Sequence, residues 1–162
     1  MFRSNRSPLD TLETTFRLLA TGPQPLAVEG HAVGLQRASI GLWELRPILF
    51  HPATGIGVQR AVLVELVGRA RRCRGAWMIG LVGVLLPGLR HQVVGVREGR
   101  SGRAASSGAM VLVRLLERLE EQDVSSKSAA ESLLWTVVRP PDGSSPPTRS
   151  RPTLTAVAGG GP

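Results

Sequence analysis

The chain of 162 residues lacks tyrosine, has a single cysteine and a single lysine, and contains only 4% aromatic residues. Because Cys73 stands alone, an intrachain disulfide and a metal site built from cysteines are both excluded. Its neighbours supply no partner that would make it a nucleophile, and we interpret it as a half-buried structural residue. The shortage of aromatic residues leaves few large, rigid side chains to anchor a core or a ligand.

A long hydrophobic run is also missing. The longest apolar stretch, residues 76–89, has 14 residues and contains Pro87, whereas a membrane span needs about 20 residues. We therefore predict a buried core helix and no membrane span; the flanking arginines leave an interfacial helix as an alternative. Residues 1–6 lead into a polar segment without the apolar region of a signal peptide, so we expect a cytoplasmic protein.

The sequence contains no familiar catalytic or metal-binding motif. His31, His51 and His91 are widely spaced and form neither an HxxxH nor an HExxH pattern, and no serine lies in a GxSxG turn. The glycines at 55 and 57 lack the strand and the lysine of a phosphate-binding loop. We predict a non-enzymatic protein without a cofactor or a metal ion, in which His51 forms a turn or ends a helix.

Positive charge is concentrated in one segment. The formal net charge is +8, and residues 60–103 hold nine arginines and two acidic residues, whereas residues 106–138 hold five acidic and three basic residues. Codon usage in a GC-rich genome would explain the abundance of arginine but not its position. A basic segment beside an acidic one favours a surface that meets polyanions or acidic partners. The candidate nucleic-acid-binding residues are Arg69, Arg71, Arg72, Arg74, Arg90, Arg97, Arg100 and Arg103.

Apolar residues repeat with helical periodicity from residue 57 onward. They fall at i, i+3, i+4 and i+7, which forms one apolar stripe on each helix. The stripes are Leu63, Leu66, Val67 and Ala70; Leu112, Leu115, Leu116 and Leu119; and Ala130, Leu133, Leu134 and Val137. Glu65 stands four residues before Arg69, the favourable order for an ion pair on a helix. The acidic residues Glu117, Glu120, Glu121 and Asp123 are typical of a solvated helix face.

These patterns predict an all-α fold, a small helical bundle of residues 40–138. The bundle follows an irregular N-terminal lead, residues 1–39, which includes a short helix at 9–19 and a short β segment at 25–31. After it, residues 139–162 are dominated by Pro, Gly, Ser and Thr and cannot supply a core, so we predict a disordered tail.

Three details inside the bundle follow from local signals. Pro87-Gly88 predicts a kink or a stop in the apolar helix. Residues 98–108 are predicted to form a flexible loop because they are rich in glycine and serine. Ser128 and Glu131 have the spacing of a capping box at the start of the last helix.

Several segments together resemble a group of uncharacterised actinobacterial proteins that are often encoded near integrative or mobile elements. The likeness covers roughly residues 10–138 and implies no particular activity. The segments that carry it are TTFRLLATGPQPLAVEG (14–30), HPATG (51–55), AVLVELVGRARR (61–72), AWMIGLVGVLLPGLR (76–90) and AAESLLW (129–135).

Within this likeness, residues 89–138 resemble region 2 of sigma-70-type transcription factors. The shared features are an arginine-rich approach, an acidic, leucine-rich helix and a last helix that carries a tryptophan, Trp135. The sequence departs from the sigma pattern at 106–110, where an acidic residue is expected. The resemblance implies a nucleic-acid-binding or transcription-associated accessory protein, with DNA, RNA and RNA polymerase as candidate partners.

The sequence therefore leaves two interpretations of function open. The first is the accessory protein just described, non-enzymatic and binding nucleic acid through its arginines. The alternative is a protein-interaction or structural module that packs its apolar helix on a partner or a membrane face, or a truncated gene product without activity. An acidic protein is a further candidate partner for the arginines. The oligomeric state is left open.

Overall fold

Six α-helices and one small sheet make up the part of the chain that the computed structural model describes, which is residues 7–99, 104–121 and 125–139. The fold is all-α, as predicted. The helices are α1 (Pro8–Thr21), α2 (Leu42–Phe50), α3 (Ile56–Arg72), α4 (Ala76–Gly99), α5 (Ala104–Glu120) and α6 (Ser126–Leu133), and a π-helical turn, Leu134–Val138, continues α6.

The sheet lies between α1 and α2 in sequence. Its strands, β1 (Ala27–Glu29) and β2 (Ser39–Gly41), pair antiparallel with Val28 opposite Ile40, and both of these side chains are buried. A short 3₁₀ turn, His31–Val33, connects the strands and packs against α3. The β segment expected near residues 25–31 is thus confirmed, and it pairs with a second strand.

Helix α4 is the centre of the bundle. It packs against α1, α2, α3, α5 and the π-helical turn, which explains why it is apolar on nearly all sides. Its buried residues include Leu81, Val82, Val84, Leu85, Leu86 and Leu89. The predicted core helix is confirmed, and none of the helices in the described ranges combines the length and the hydropathy needed to cross a membrane.

Pro87 does not stop α4, which continues to Gly99. Proline has no N–H, so the carbonyl of Gly83, four residues earlier, has no helical donor. The guanidinium of Arg46 replaces this donor: its Nε and Nη2 donate to the Gly83 oxygen at 3.1 Å and 2.6 Å. Of the kink or stop expected at Pro87-Gly88, the stop does not occur, and a side chain of α2 satisfies the carbonyl that Pro87 leaves free.

The predicted stripes of α3, α5 and α6 face the core. All of their residues are buried except Leu116, which is partly buried and still packs against the core. The Glu65–Arg69 pair forms at 2.6 Å, as its spacing predicted. Periodicity thus identified the buried faces correctly.

Two boundaries differ from prediction. The loop expected at 98–108 is too long, because α4 extends to Gly99 and α5 already begins at Ala104, in a run with two alanines that favour helix. The N-cap of α6 is Ser125, whose hydroxyl accepts a hydrogen bond from the Ser128 amide. The expected capping box of Ser128 is wrong, since Glu131 is engaged in an ion pair with Arg60 instead.

The two ends of the described chain also contact the bundle. Helix α1 begins with a capping box of Ser7 and Asp10 and packs on α4, where Phe16 is fully buried. At the other end Arg139 donates to the buried Gln59 at 2.6 Å and to the Thr54 carbonyl at 3.2 Å. The remainder of the predicted tail, residues 140–162, lies outside the described residues.

Candidate functional site

Four of the eight candidate arginines lie at the C-terminal end of α3: Arg69, Arg71 and Arg72 in its last turn, and Arg74 two residues beyond it. The guanidinium of Arg69 pairs with Glu65 and lies 4.8 Å from the centroid of the Trp77 ring at the start of α4. A cation over the face of a tryptophan is attracted by the ring quadrupole. Arg69 therefore links α3 to α4, and its side chain is already engaged on both sides.

Arg71 is bound to the end of another helix. Its Nε and Nη2 donate to the carbonyls of Leu119 and Glu121 at 3.3 Å and 3.4 Å. The last carbonyls of a helix have no donor within the helix, and they form the negative end of its dipole. Arg71 thus stabilises the C-terminus of α5, a structural role that the sequence did not indicate.

Arg72, Cys73 and Arg74 are exposed in succession where α3 ends. Among the described residues Arg72 has no hydrogen-bond or ion-pair partner, and Arg74 makes only a long, exposed pair with Glu120, at 3.7 Å. Cys73 is the C-cap residue of α3 and is exposed, so the half-buried position expected for it is wrong. The tip of α3, defined here as residues 72–74, presents two cations to solvent.

A shallow cavity of about 240 Å³ adjoins this tip. Its charged lining residues are Arg71 and Arg74 from the α3 side, and Glu120 and Glu121 from α5. The basic end of α3 therefore lies against the acidic end of α5. Glu117, Glu120 and Glu121 are exposed, as expected for a solvated face, while Asp123 lies outside the described residues.

The other four candidates do not join this group. Arg90 follows Ala76 by fourteen residues on the same helix, which is about 21 Å of helical rise, and it pairs with Asp10 of α1 at 3.1 Å. Arg97 lies in α4, but its side chain is outside the described part. Arg100 and Arg103 are outside the described residues altogether. The structure therefore brings Arg69, Arg71, Arg72 and Arg74 together and separates Arg90 from them.

Sequence reasoning missed two long-range ion pairs that are each joined by two hydrogen bonds, and Arg60–Glu131 is the first. Two hydrogen bonds of 2.6 Å and 2.9 Å join α3 to α6. The hydrogen bond from Arg60, assisted by one from the Trp135 indole at 3.0 Å, lowers the pKa of Glu131 to about 2. The same bond raises the pKa of Arg60. The partners are 71 residues apart, so no local spacing could have indicated the pair.

The second missed pair is Glu13–Arg46, between α1 and α2. Arg46 donates to both carboxylate oxygens, at 2.8 Å and 3.2 Å, and both side chains are largely buried. The hydrogen bond from Arg46 lowers the pKa of Glu13 against the opposing effect of burial. The guanidinium also lies 4.5 Å from the Phe16 ring centroid and 5.4 Å from that of Trp43. This is a structural cluster, in which the guanidinium and the carboxylate are each engaged by other groups of the fold.

A groove between α4, α5 and α6 is the third feature that the sequence did not show. It has a volume of about 270 Å³ and a floor of leucine and valine. Its polar rim contains two arginines of α5, Arg114 and Arg118. The lining residues are Leu89, Gln92, Arg114, Leu115, Arg118, Ser132, Leu133, Thr136 and Val137.

Histidine and carboxylate positions give no further site. His51 is the C-cap of α2 and its Nδ1 accepts a hydrogen bond from the Ala53 amide at 3.1 Å, which confirms the expected helix-end role. Within the described ranges, no three His, Cys, Asp or Glu side chains are placed to hold a metal ion together. Comparison of the chain with protein-family models, with curated proteins and with solved structures finds no match.

Proposed function

We propose that this protein is a non-enzymatic, nucleic-acid-binding accessory protein that contacts backbone phosphates through the tip of α3. The observation that carries the proposal is the solvent exposure of Arg72 and Arg74, which flank Cys73 at the C-terminal end of α3. Phosphate contact requires only cations along a surface, and it contributes affinity regardless of base sequence.

Arg72 and Arg74 are chosen from the larger candidate set because of the contacts that each arginine makes within the protein. Arg69 and Arg71 support the fold, so using them on a ligand would cost the contacts that join α3 to α4 and α5. Arg72 has no partner among the described residues. The pair of Arg74 with Glu120 is long and more than half exposed on both sides, and such surface pairs contribute little. A phosphate can therefore replace Glu120 at Arg74.

The proposal is tested by the salt dependence of binding to duplex DNA. Each phosphate contact contributes a slope of about −0.9 to the plot of log affinity against log salt concentration. The double substitution Arg72→Ala and Arg74→Ala should therefore reduce the slope by about 1.8 and leave the helical circular dichroism signal unchanged. Binding should depend weakly on base sequence, because contacts to backbone phosphates carry no direct sequence information.

The matched control is Arg37→Ala. Arg37 is equally exposed and pairs with the exposed Glu44 at 2.9 Å, in the segment between the 3₁₀ turn and α2. Its removal changes the net charge but should leave the slope unaltered. If the native chain binds no DNA at low salt, or if the slope survives the double substitution, the proposal is wrong.

The transcription-associated part of the proposal requires contact with RNA polymerase in the cytoplasm. Its support is the sequence resemblance of residues 89–138 to sigma region 2, whose leucine-rich helix corresponds to α5. Purified polymerase and the purified chain, mixed and separated by size, should elute together. Separate elution at micromolar concentrations would limit the proposal to nucleic-acid binding alone.

A further inference from the structure

We infer that the groove between α4, α5 and α6 binds an acidic amphipathic helix of a partner protein. This inference is independent of phosphate contact at the tip of α3, because it rests on other residues. The groove's floor is apolar, formed by Leu89, Leu115, Leu133 and Val137. An amphipathic helix that lays its apolar face into such a groove is a common form of protein recognition.

The size of the groove favours side chains of a helix over a small molecule. Its volume of about 270 Å³ lies below the roughly 300–1,000 Å³ of pockets that enclose drug-sized ligands. It is also open along one side, so a bound helix could insert two or three apolar residues while its opposite face stays in solvent.

The end of α6 shapes one wall of this groove. The π-helical turn places Thr136 and Val137 there, and the side chain of Gln92 donates to the Thr136 carbonyl from across the groove. Helical turns of the π type are rare, and they frequently occur at functional sites because they displace side chains from regular helical positions. The wall is therefore held in place by a hydrogen bond between elements distant in sequence.

The charge of the groove defines the partner. Arg114 has no hydrogen-bond or ion-pair partner in the described part of the chain, and Arg118 donates to the neutral hydroxyl of Ser132 at 2.9 Å. Among the described residues, none that lines the groove is acidic. Arg114 and Arg118 are one helical turn apart, and a helix that carries carboxylates at i and i+4 matches this spacing.

The same lining argues against a nucleic acid in this groove. Proteins that bind single strands combine cations with aromatic side chains on which bases stack. None of the described residues that line the groove is aromatic, and its apolar floor has no complement in a phosphate backbone. The exposed side chain of Met110, one turn before Arg114 on α5, extends the apolar surface that a helix could cover.

The experiment uses the full chain and a synthetic 18-residue amphipathic peptide at 0.15 M salt. The peptide carries leucines at i, i+3, i+4 and i+7 with glutamates beside them, and its binding is measured by fluorescence anisotropy. Arg114→Glu should weaken binding at least tenfold. A peptide with lysine in place of glutamate should bind the native chain poorly and the Arg114→Glu chain at least tenfold better.

Two further variants separate the groove from other surfaces. Thr136→Trp should fill the groove and weaken the peptide at least tenfold, with unchanged helical signal. Arg72→Glu makes the same charge change outside the groove, at an arginine without a partner in the described part of the chain. It should leave peptide affinity within twofold of the native value. DNA binding should be weakened by Arg72→Glu and unaffected by Arg114→Glu and Thr136→Trp. A failure of the peptide experiment is therefore distinguishable from a failure of the proposed phosphate contact.

Four results would overturn the inference. The peptide could fail to bind the native chain at millimolar concentration, or bind the Arg114→Glu and Thr136→Trp chains as well as the native one. It could also bind only after removal of residues 140–162, which would make the chain's own terminal segment the occupant. Competition by DNA at this groove, abolished by Thr136→Trp, would assign the site to nucleic acid instead.

Discussion

Arg46 performs a task that a backbone amide performs elsewhere in α4. Its guanidinium donates to the carbonyl that Pro87 leaves free and to both oxygens of Glu13, so one side chain joins α1, α2 and α4. Its planar fork of five donors makes this arrangement accessible to arginine and not to lysine. The rings of Phe16 and Trp43 near the guanidinium add cation–π attraction.

We expect Arg46→Met to destabilise the fold by about 2–4 kcal/mol, because it leaves the largely buried Glu13 carboxylate and the Gly83 carbonyl without donors. Pro87→Ala restores an N–H that can donate to Gly83. The double variant should therefore recover about 1 kcal/mol relative to the sum of the single changes. Urea denaturation of the four chains measures this coupling, and strict additivity would show that Pro87 and Arg46 act independently.

At the scale of the element, α4 depends on glycines that let its neighbours approach. A Cβ at Gly83 would lie inside van der Waals contact of the Phe16 ring, and one at Gly88 would meet the carbonyl of Val137. Glycine costs helix stability of about 1 kcal/mol relative to alanine. The close packing of α1 and of the π-helical turn against α4 offsets this cost.

Two glycine-to-alanine substitutions therefore should act in opposite directions. Gly83→Ala should destabilise by about 1–3 kcal/mol, because the added methyl group forces Phe16 to move within a packed core. Gly57→Ala, in the first turn of α3, meets open space and should stabilise by about 0.5 kcal/mol through helix propensity. Thermal melts of both chains test this, and a stabilising Gly83→Ala would disprove the close approach of Phe16.

The elements were predictable where a signal is local. The stripes of α3, α5 and α6 depend on residues three or four positions apart, and so does the Glu65–Arg69 pair; sequence reasoning found all of them. The continuation of α4 past Pro87 depends on Arg46, which lies on a different helix. No pattern within residues 76–99 contains that information, so proline rules alone could not decide between a kink and a stop at Pro87.

At the scale of the whole molecule, charges that are separate in sequence meet in space. The basic and acidic segments of the sequence predicted a surface for external partners. In the structure, however, Arg71 binds the end of α5 and Arg60 binds Glu131. Arg90 and Asp10, 80 residues apart, form another pair. Charge patterning along the chain shows where the charged residues lie in sequence but not which residues they contact in space. The candidate site could therefore be narrowed to the tip of α3 only from the structure.

The Arg60–Glu131 pair gives stability a defined pH dependence. The pKa of Glu131 falls from 4.5 to about 2 on folding. The ionised carboxylate therefore contributes fully to the free energy of unfolding above pH 4.5, and this contribution is lost as the pH falls toward 2. The native chain should melt at a higher temperature than the Glu131→Gln chain at pH 7. The difference should shrink between pH 4.5 and pH 2, at constant ionic strength.

Arg60→Gln provides the control, because the hydrogen bond from Arg60 is the largest cause of the shift. In that background the Glu131→Gln substitution should change the melting temperature less, and with a weaker pH dependence. The side chains are more than one third exposed, so solvent screening keeps the effect modest. A difference that stays constant from pH 7 to pH 3 would refute the pairing.

The place of α4 in the chain also sets the order in which the core can form on the ribosome. Phe16 and Leu45 are fully buried, and both belong to helices that pack on α4, which is synthesised later. At about 5–20 residues per second, Leu89 follows Phe16 by about 4–15 s. During that interval the nascent chain has apolar faces without a partner, and we expect chaperones to hold it until α4 emerges.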